Sequence, residues 1–229
     1  MQEYLANAKP IEIPSLNNLC YKQIKEMILC GLIDWGQRID VGNIATSFGV
    51  SKFPVIKAVD KLAQEGLAVV YPNKGTYVAT PTLEIIQQVT EIRVMIEEHC
   101  LKKAIENDSP ELKKKLLKCR IKALNQAEDL SNLDFKEFLS DDREFHTTLV
   151  DSANNQRLSE YYQIIRSQTE LWRTKTFSLD NILESIRKHI QIIDYICEGN
   201  LEKATSTLRE HLYKVRSESL ETIGENAEV

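Results

Sequence analysis

A chain of 229 residues, 42% hydrophobic and 28% charged, is long enough for two modest domains and has the composition of an ordinary soluble globular protein. No apolar run approaches the ~20 residues of a membrane span, and the start Met1-Gln2-Glu3-Tyr4 has no basic segment leading into an apolar one, so neither membrane insertion nor secretion is expected. The net charge of −5 argues against indiscriminate coating of nucleic acid but leaves room for a local DNA-binding face.

Charge is uneven along the chain: residues 1–80 carry eight basic and seven acidic side chains, or +1, and the remainder 21 and 27, or −6. Eight glycines and six prolines are few for this length and favour long helices. Five cysteines, Cys20, Cys30, Cys100, Cys119 and Cys197, show no paired spacing. Reduced, buried thiols and a cytoplasmic location are therefore expected, rather than disulfides or a cysteine zinc site.

Residues 1–13 read as a mobile tail. From Leu16 to about Ile33 a helical period runs through Leu16, Leu19, Ile24, Ile28 and Leu29, with Gly31 and Gly36 around its exit. A short helix from about Val41 to Phe48 and another from Ser51 to Gly66 follow, joined by a tight turn through Gly49. Ser51 is placed to cap the second helix, and Pro54 falls in its first turn, where amides lack intrahelical partners. Val55, Val59 and Leu62 form its buried face and leave Lys52, Lys57 and Lys61 outward. Leu67 to Tyr71, a turn at Pro72-Asn73-Lys74-Gly75, and Thr76 to Ala79 read as a hairpin. Three helices and a hairpin in this order describe a winged helix-turn-helix over residues 1–80. Its lysine-edged second reading element suits the major groove of DNA.

Pro81 closes that unit. Residues 81–229 show helical periodicity broken at Asn107–Pro110, Ser131-Asn132, Ala153–Asn155, Ser178–Asp180 and Gly199-Asn200. Six helices result, at roughly 82–106, 110–130, 134–152, 156–176, 180–198 and 200–222. Short connections make them an antiparallel all-α bundle, so the fold class is mainly α.

Four histidines occur in the bundle. Asp142 and His146 are four apart and share a helix face. His189 lies ten residues before Gly199, and His211 eleven after Asn200, so two antiparallel helices would set them level. One carboxylate and three imidazoles make a metal site in ligand type and number. The competing reading, four separately buried or exposed side chains, stays open on residues alone. His99 fits neither pair and reads as structural or exposed. Arg93 stands among residues that look buried and could clamp a ligand carboxylate bidentately, or pair with Glu97. Trp172 and Tyr161-Tyr162 are candidates for pocket lining or core, and Lys113-Lys114-Lys115 for a solvated face.

Val50-Ser51-Lys52-Phe53-Pro54-Val55 and Gly66-Leu67 through Asn73-Lys74-Gly75-Thr76-Tyr77-Val78 resemble the winged helix of GntR-family transcription regulators. Arg93 with Glu97, Asp142-Arg143-Glu144-Phe145-His146, His189 and Gly199-Asn200 leading to His211 resemble the FadR-like (FCD) subfamily's ligand-binding domain. Together they cover about residues 16 to 220. The resemblance implies a homodimeric regulator, a repressor in its leading form, binding double-stranded palindromic operator DNA under control of a small carboxylate effector. It implies a divalent metal, zinc, nickel or manganese, on Asp142, His146, His189 and His211, with Arg93 toward the effector. DNA contacts would fall on Ser51, Lys52, Phe53, Lys57, Lys61, Asn73, Lys74, Gly75 and Thr76, and residues 81–229 would carry effector, metal and dimerisation functions.

Departures from the family pattern matter as well. Ile56 and Gly42 stand where arginines are usual, so a different or weaker operator is expected, because lysine does not reproduce bidentate guanine reading. Trp35 replaces a usual proline, and Lys188 an acidic residue before His189. Two other classes compete with an effector-responsive regulator: a metal-dependent hydrolase using the same Asp/His cluster, and a DNA-binding protein whose metal is purely structural.

Overall fold

The structure, a computed structural model, describes residues 15–176 and 178–227. The tail expected over residues 1–13 lies outside them. The chain divides into two compact units that meet at Thr80 and Pro81.

In the first unit, α1 spans Leu16–Leu29, α2 Val41–Phe48 and α3 Lys52–Gln64. An antiparallel hairpin, β1 Ala68–Tyr71 and β2 Gly75–Val78, follows. α1 stops four residues short of Ile33 because Cys30 caps it and Gly31 turns left-handed at φ +77. Ile33 still reaches the core from the loop. Asp40 caps α2 by accepting hydrogen bonds from Gly42 N (2.9 Å) and Asn43 N (3.0 Å). Gly49, at φ +66, ends that helix.

Ser51 sits at the α3 N-cap with extended backbone, yet its hydroxyl makes no capping bond. The expectation of a serine cap is therefore corrected, and Pro54 supplies a reason. A capping hydroxyl takes the second or third amide of the helix, and at the third position proline has none. Ile24, Val55, Leu62 and Leu67 are fully buried between α1, α3 and the hairpin, while Lys52, Lys57 and Lys61 are exposed.

The loop before α2 adds an edge to the wing that periodicity does not show. Gly36 N donates to Val78 O (3.0 Å), Val78 N to Gln37 O (2.9 Å) and Ile39 N to Thr76 O (2.8 Å). Arg38 is thereby bridged antiparallel to Tyr77. Replacing Gly49 by alanine should lower stability by about 1–2 kcal/mol, since a Cβ at positive φ is strained even where space is open. Urea unfolding followed by circular dichroism measures the loss.

The second unit contains six helices among the described residues: α4 Leu83–Asn107, α5 Pro110–Glu128, α6 Phe135–Asp151, α7 Gln156–Thr176, α8 Leu179–Cys197 and α9 Leu201–Ala227. A short 3-10 turn, Leu130–Asn132, joins α5 to α6. Thr82, Ser109, Asp134 and Ser178 each cap the helix that follows them. Between α8 and α9, Gly199 takes φ +72 and Asn200 N donates back to Tyr195 O at 2.9 Å, which reverses the chain. Leu101, Leu116, Leu149, Ile192, Ile193 and Leu208 lie fully buried at the centre. Among the described residues no helix is long and apolar enough to cross a membrane.

All five cysteines are free thiols. The expectation that all are buried holds for Cys20, Cys100 and Cys119 but not for Cys30, which is exposed, or Cys197, which is half-buried. Cys30 is the C-cap of α1, where the chain leaves the helix.

Candidate metal centre and DNA-facing surface

Five helices of the second unit send polar side chains inward to one place. Asp142 and His146 come from one face of α6, His189 from α8 and His211 from α9, and all four are buried. The Gly199 reversal brings His189 Nε2 within 3.2 Å of His211 Nε2. Asp142 Oδ1 lies 3.7 Å from His189 Nε2 and 3.9 Å from His146 Nε2. The three imidazoles alone offer nitrogens within 4.8 Å of one another.

A ring of partners orients these four groups. Arg173 on α7 donates from Nη1 to Asp142 Oδ2 at 2.7 Å, leaving Oδ1 turned toward the histidines. Glu97 on α4 is completely buried and accepts at Oε1 from Arg93 Nε (2.6 Å) and from the Tyr162 hydroxyl (2.7 Å). Its other oxygen is 2.7 Å from His146 Nδ1. Burial alone would raise the Glu97 carboxyl, but Arg93 and His146 outweigh it and hold it at about 2. An ionised Glu97 only accepts, so His146 Nδ1 donates to it, which leaves Nε2 as the ring nitrogen turned toward the cluster.

Burial raises the Asp142 carboxyl too, and Arg173 followed by His146 and His189 reverse this, keeping it ionised. Burial, then the field of His146, push His189 down to about 3. Burial, with His189 and His146, likewise lowers His211 well below the ordinary histidine range. Both rings are held as neutral bases.

Two atoms test whether a cation fits. Among the described residues, Asp142 Oδ1 and His146 Nε2 are buried and have no hydrogen-bond partner, a costly state for buried polar groups. Both face the nitrogens of His189 and His211. Two nitrogens bound tetrahedrally to zinc at its usual bond length stand ~3.3 Å apart, close to the 3.2 Å seen between His189 and His211. One carboxylate oxygen and three imidazole nitrogens, gathered this closely, fit a divalent metal in ligand type and number.

Beside them runs a narrow cavity lined in part by Cys119, Gln126, Phe138, Phe145 and His189, with room for about one water-sized molecule.

Of the two readings left open for Arg93, the structure shows the pairing with the buried carboxylate of Glu97. Lys188 pairs with Glu210 at 2.8 Å, joining the residues that precede His189 and His211. Tyr161 and Tyr162 diverge: the first is 68% exposed and the second fully buried on Glu97. Trp172 is core, His99 is exposed, and Lys114 and Lys115 are solvated. Glu97 was legible only as a possible partner of Arg93, and Arg173 carried no signal because its partner is 31 residues away.

In the first unit, Ser51, Lys52, Phe53, Lys57 and Lys61 lie exposed at or along α3. Phe53 is 63% exposed and carries Lys57 Nζ 5.7 Å above its ring. Lys61 Nζ sits 3.9 Å over the Tyr21 ring, whose hydroxyl donates to Glu65, so its charge is partly engaged within the protein. Asn73 and Lys74 protrude at the hairpin turn, and Gly75 and Thr76 are half-buried behind them. Asn73 adopts φ +62 there.

Both units match known families. Residues 17–78 match the bacterial regulatory proteins of the gntR family, and residues 88–214, more than half the chain, match the FCD domain. This chain is a GntR-family regulator of the FCD type.

A relative in Bacillus subtilis, the uncharacterized HTH-type transcriptional regulator YdhC, is 26% identical over 196 residues, covering 83% of this chain and 85% of its own. The crystal structure of a GntR regulator from Rhodococcus sp. RHA1 superposes with TM-score 0.75 at 19% identity, over 89% of this chain and 97% of that one. The Zn2+-bound FCD domain of TM0439 superposes with TM-score 0.52 at 22% identity, over 63% of this chain and 98% of that one. The GntR/FCD chain is thus a DNA-binding transcriptional regulator and not a hydrolase.

Proposed function

We propose that this GntR/FCD chain is a cytoplasmic homodimeric repressor whose operator affinity is set by a divalent metal on Asp142, His146, His189 and His211 and by a small carboxylate beside it. The carrying observation is the pair of orphaned buried atoms, Asp142 Oδ1 and His146 Nε2, aimed at two further imidazoles. The zinc named for the TM0439 domain supports the same ligand chemistry here. A bound metal supplies Lewis-acidic positions that attract an anion. Arg93 and Arg173 balance Glu97 and Asp142, so a divalent ion adds two positive charges that the buried residues leave uncompensated. An anionic effector answers that charge. The cavity's size means the bundle must open slightly to admit it, and such a shift can change the spacing of two reading helices in a dimer.

Native mass spectrometry with elemental analysis of the purified protein, followed by DNA binding with and without chelator and with a panel of small carboxylates, tests this reading. A monomer without metal, indifferent to every carboxylate, would refute it. A second reading, a structural metal, is favoured by the burial of all four ligands. It predicts that chelation unfolds the bundle while no carboxylate shifts its melting temperature.

For the DNA-facing side, Lys52→Ala and Lys74→Ala should each lower the slope of log affinity against log salt by about 0.9 if each neutralises one phosphate. Lys61→Ala should change it less, because Tyr21 already holds that ammonium. Fluorescence anisotropy across a salt series reads all three.

A further inference from the structure

Arg38 is the only arginine in residues 1–80, so the DNA-binding unit holds a single guanidinium. Arg38 is exposed and makes no ion pair among the described residues. Its backbone is pinned as a third edge of the wing by the bonds from Ile39 N to Thr76 O and from Val78 N to Gln37 O. Paired residues in a sheet share a face. Arg38 therefore lies on the face of Tyr77, with Val69 across from Tyr77 and Tyr71 across from Gly75. The opposite face buries Ile39, Ala68 and Val78.

On the outer face the Arg38 side chain runs toward the wing tip. A Cβ on Gly75 would stand 3.1 Å from Arg38 Nε and 3.5 Å from Nη2, so the guanidinium lies across the bare glycine. The tip beneath it is braced. The Tyr77 hydroxyl donates to Lys74 O at 3.3 Å, and the rings of Tyr77 and Tyr71 pack edge to face at 5.5 Å. Only Ile39 and Asp40 separate Arg38 from α2. A Cβ on Gly42, in that helix's first turn, would come within 4.0 Å of Lys52 Nζ. The Lys52 ammonium thus lies by the start of α2 and the Arg38 guanidinium by the wing turn that exposes Lys74.

We propose that Arg38 enters the DNA minor groove beside the major groove occupied by α3, and reads A·T pairs there. A guanidinium fits a narrow A·T minor groove, whose potential is most negative and which lacks the guanine amino group. Lysine is more strongly hydrated and less suited to that position. The assignment rests on operator binding by this unit.

The test uses a duplex selected by the wild-type protein from a random library, with a parallel selection by Arg38→Ala. The A·T preference of wild type should vanish from the Arg38→Ala selection at one position flanking each half-site. Arg38→Ala should bind the wild-type duplex about tenfold more weakly, with unchanged circular dichroism, and Arg38→Lys should not restore it. Placing G·C at that position should weaken wild type similarly and leave Arg38→Ala unaffected. Inosine·C, which removes the minor-groove amino group, should recover wild-type binding. Equal affinities of wild type and Arg38→Ala would overturn the assignment. So would a uniform loss on every duplex, rescued by lysine, because it marks a phosphate contact. Failure of the wild type to select any duplex would count instead against operator binding itself.

Discussion

Removing metal from the purified protein is expected to lower the melting temperature of its helical unit by on the order of 5–10 °C, and restoring zinc should reverse the loss. A ligand at a hundred times its dissociation constant stabilises the native state by about 2.7 kcal/mol. For a unit of ~150 residues, each kcal/mol moves the midpoint by about 2–4 °C. The physical source is the set of donors facing one another: two lowered imidazoles, an orphaned His146 nitrogen and an orphaned Asp142 oxygen. His189→Ala or His211→Ala should abolish the zinc-dependent shift in differential scanning calorimetry. A full zinc-dependent shift in both variants would mean that the metal lies elsewhere. Asp142→Ala carries a second cost, because Arg173 then loses the carboxylate at 2.7 Å, so the histidine variants give the cleaner reading.

The second large effect is expected at Glu97. Glu97→Ala should cost about 3–5 kcal/mol, measured by urea unfolding in chelator so that metal plays no part. The carboxylate is wholly buried and accepts from Arg93, Tyr162 and His146 at once. Its removal leaves a guanidinium buried without its charge partner, which is the expensive way to break an ion pair. Removing both charges with apolar side chains, as in Arg93→Met with Glu97→Leu, should recover a large part of the loss. The intermediate Glu97→Gln keeps volume but weakens the hold on His146 Nδ1, and zinc affinity should fall about 10–100-fold. A chelator competition assay measures that fall. If zinc affinity is unchanged in Glu97→Gln, the His146 ring does not depend on Glu97 for its orientation.

Some of the site could be read directly because its geometry is local. Four-residue spacing places Asp142 with His146 and Arg93 with Glu97 on common helix faces, whatever surrounds them. The level of His189 against His211 follows from equal helical rise on either side of one glycine reversal. Cross-helix contacts are of another kind. Whether Arg93 meets a ligand or Glu97, and whether Arg173 reaches Asp142, depends on how α4 and α7 are rotated and how they cross α6. Sequence spacing carries no information about such rotations. The Tyr161-Tyr162 pair makes the same point, because successive helical residues diverge by ~100° and only one of the two could face Glu97.

The sequence by itself determined the order of helices and hairpin and the choice of four candidate ligands. These rest on periodicity, turn chemistry and residue type, all of which act over a few residues. Tertiary structure alone decided that Glu97 and Arg173 hold His146 and Asp142 with His146 Nε2 and Asp142 Oδ1 left unbonded among the described residues. It also decided that Arg38, unremarkable in a loop, lies along the wing over Gly75. Each of those outcomes joins residues 31 to 49 apart in the chain, or in the wing 37 apart. Only packing, which sets helix rotation and strand pairing together, brings residues at such separations into contact.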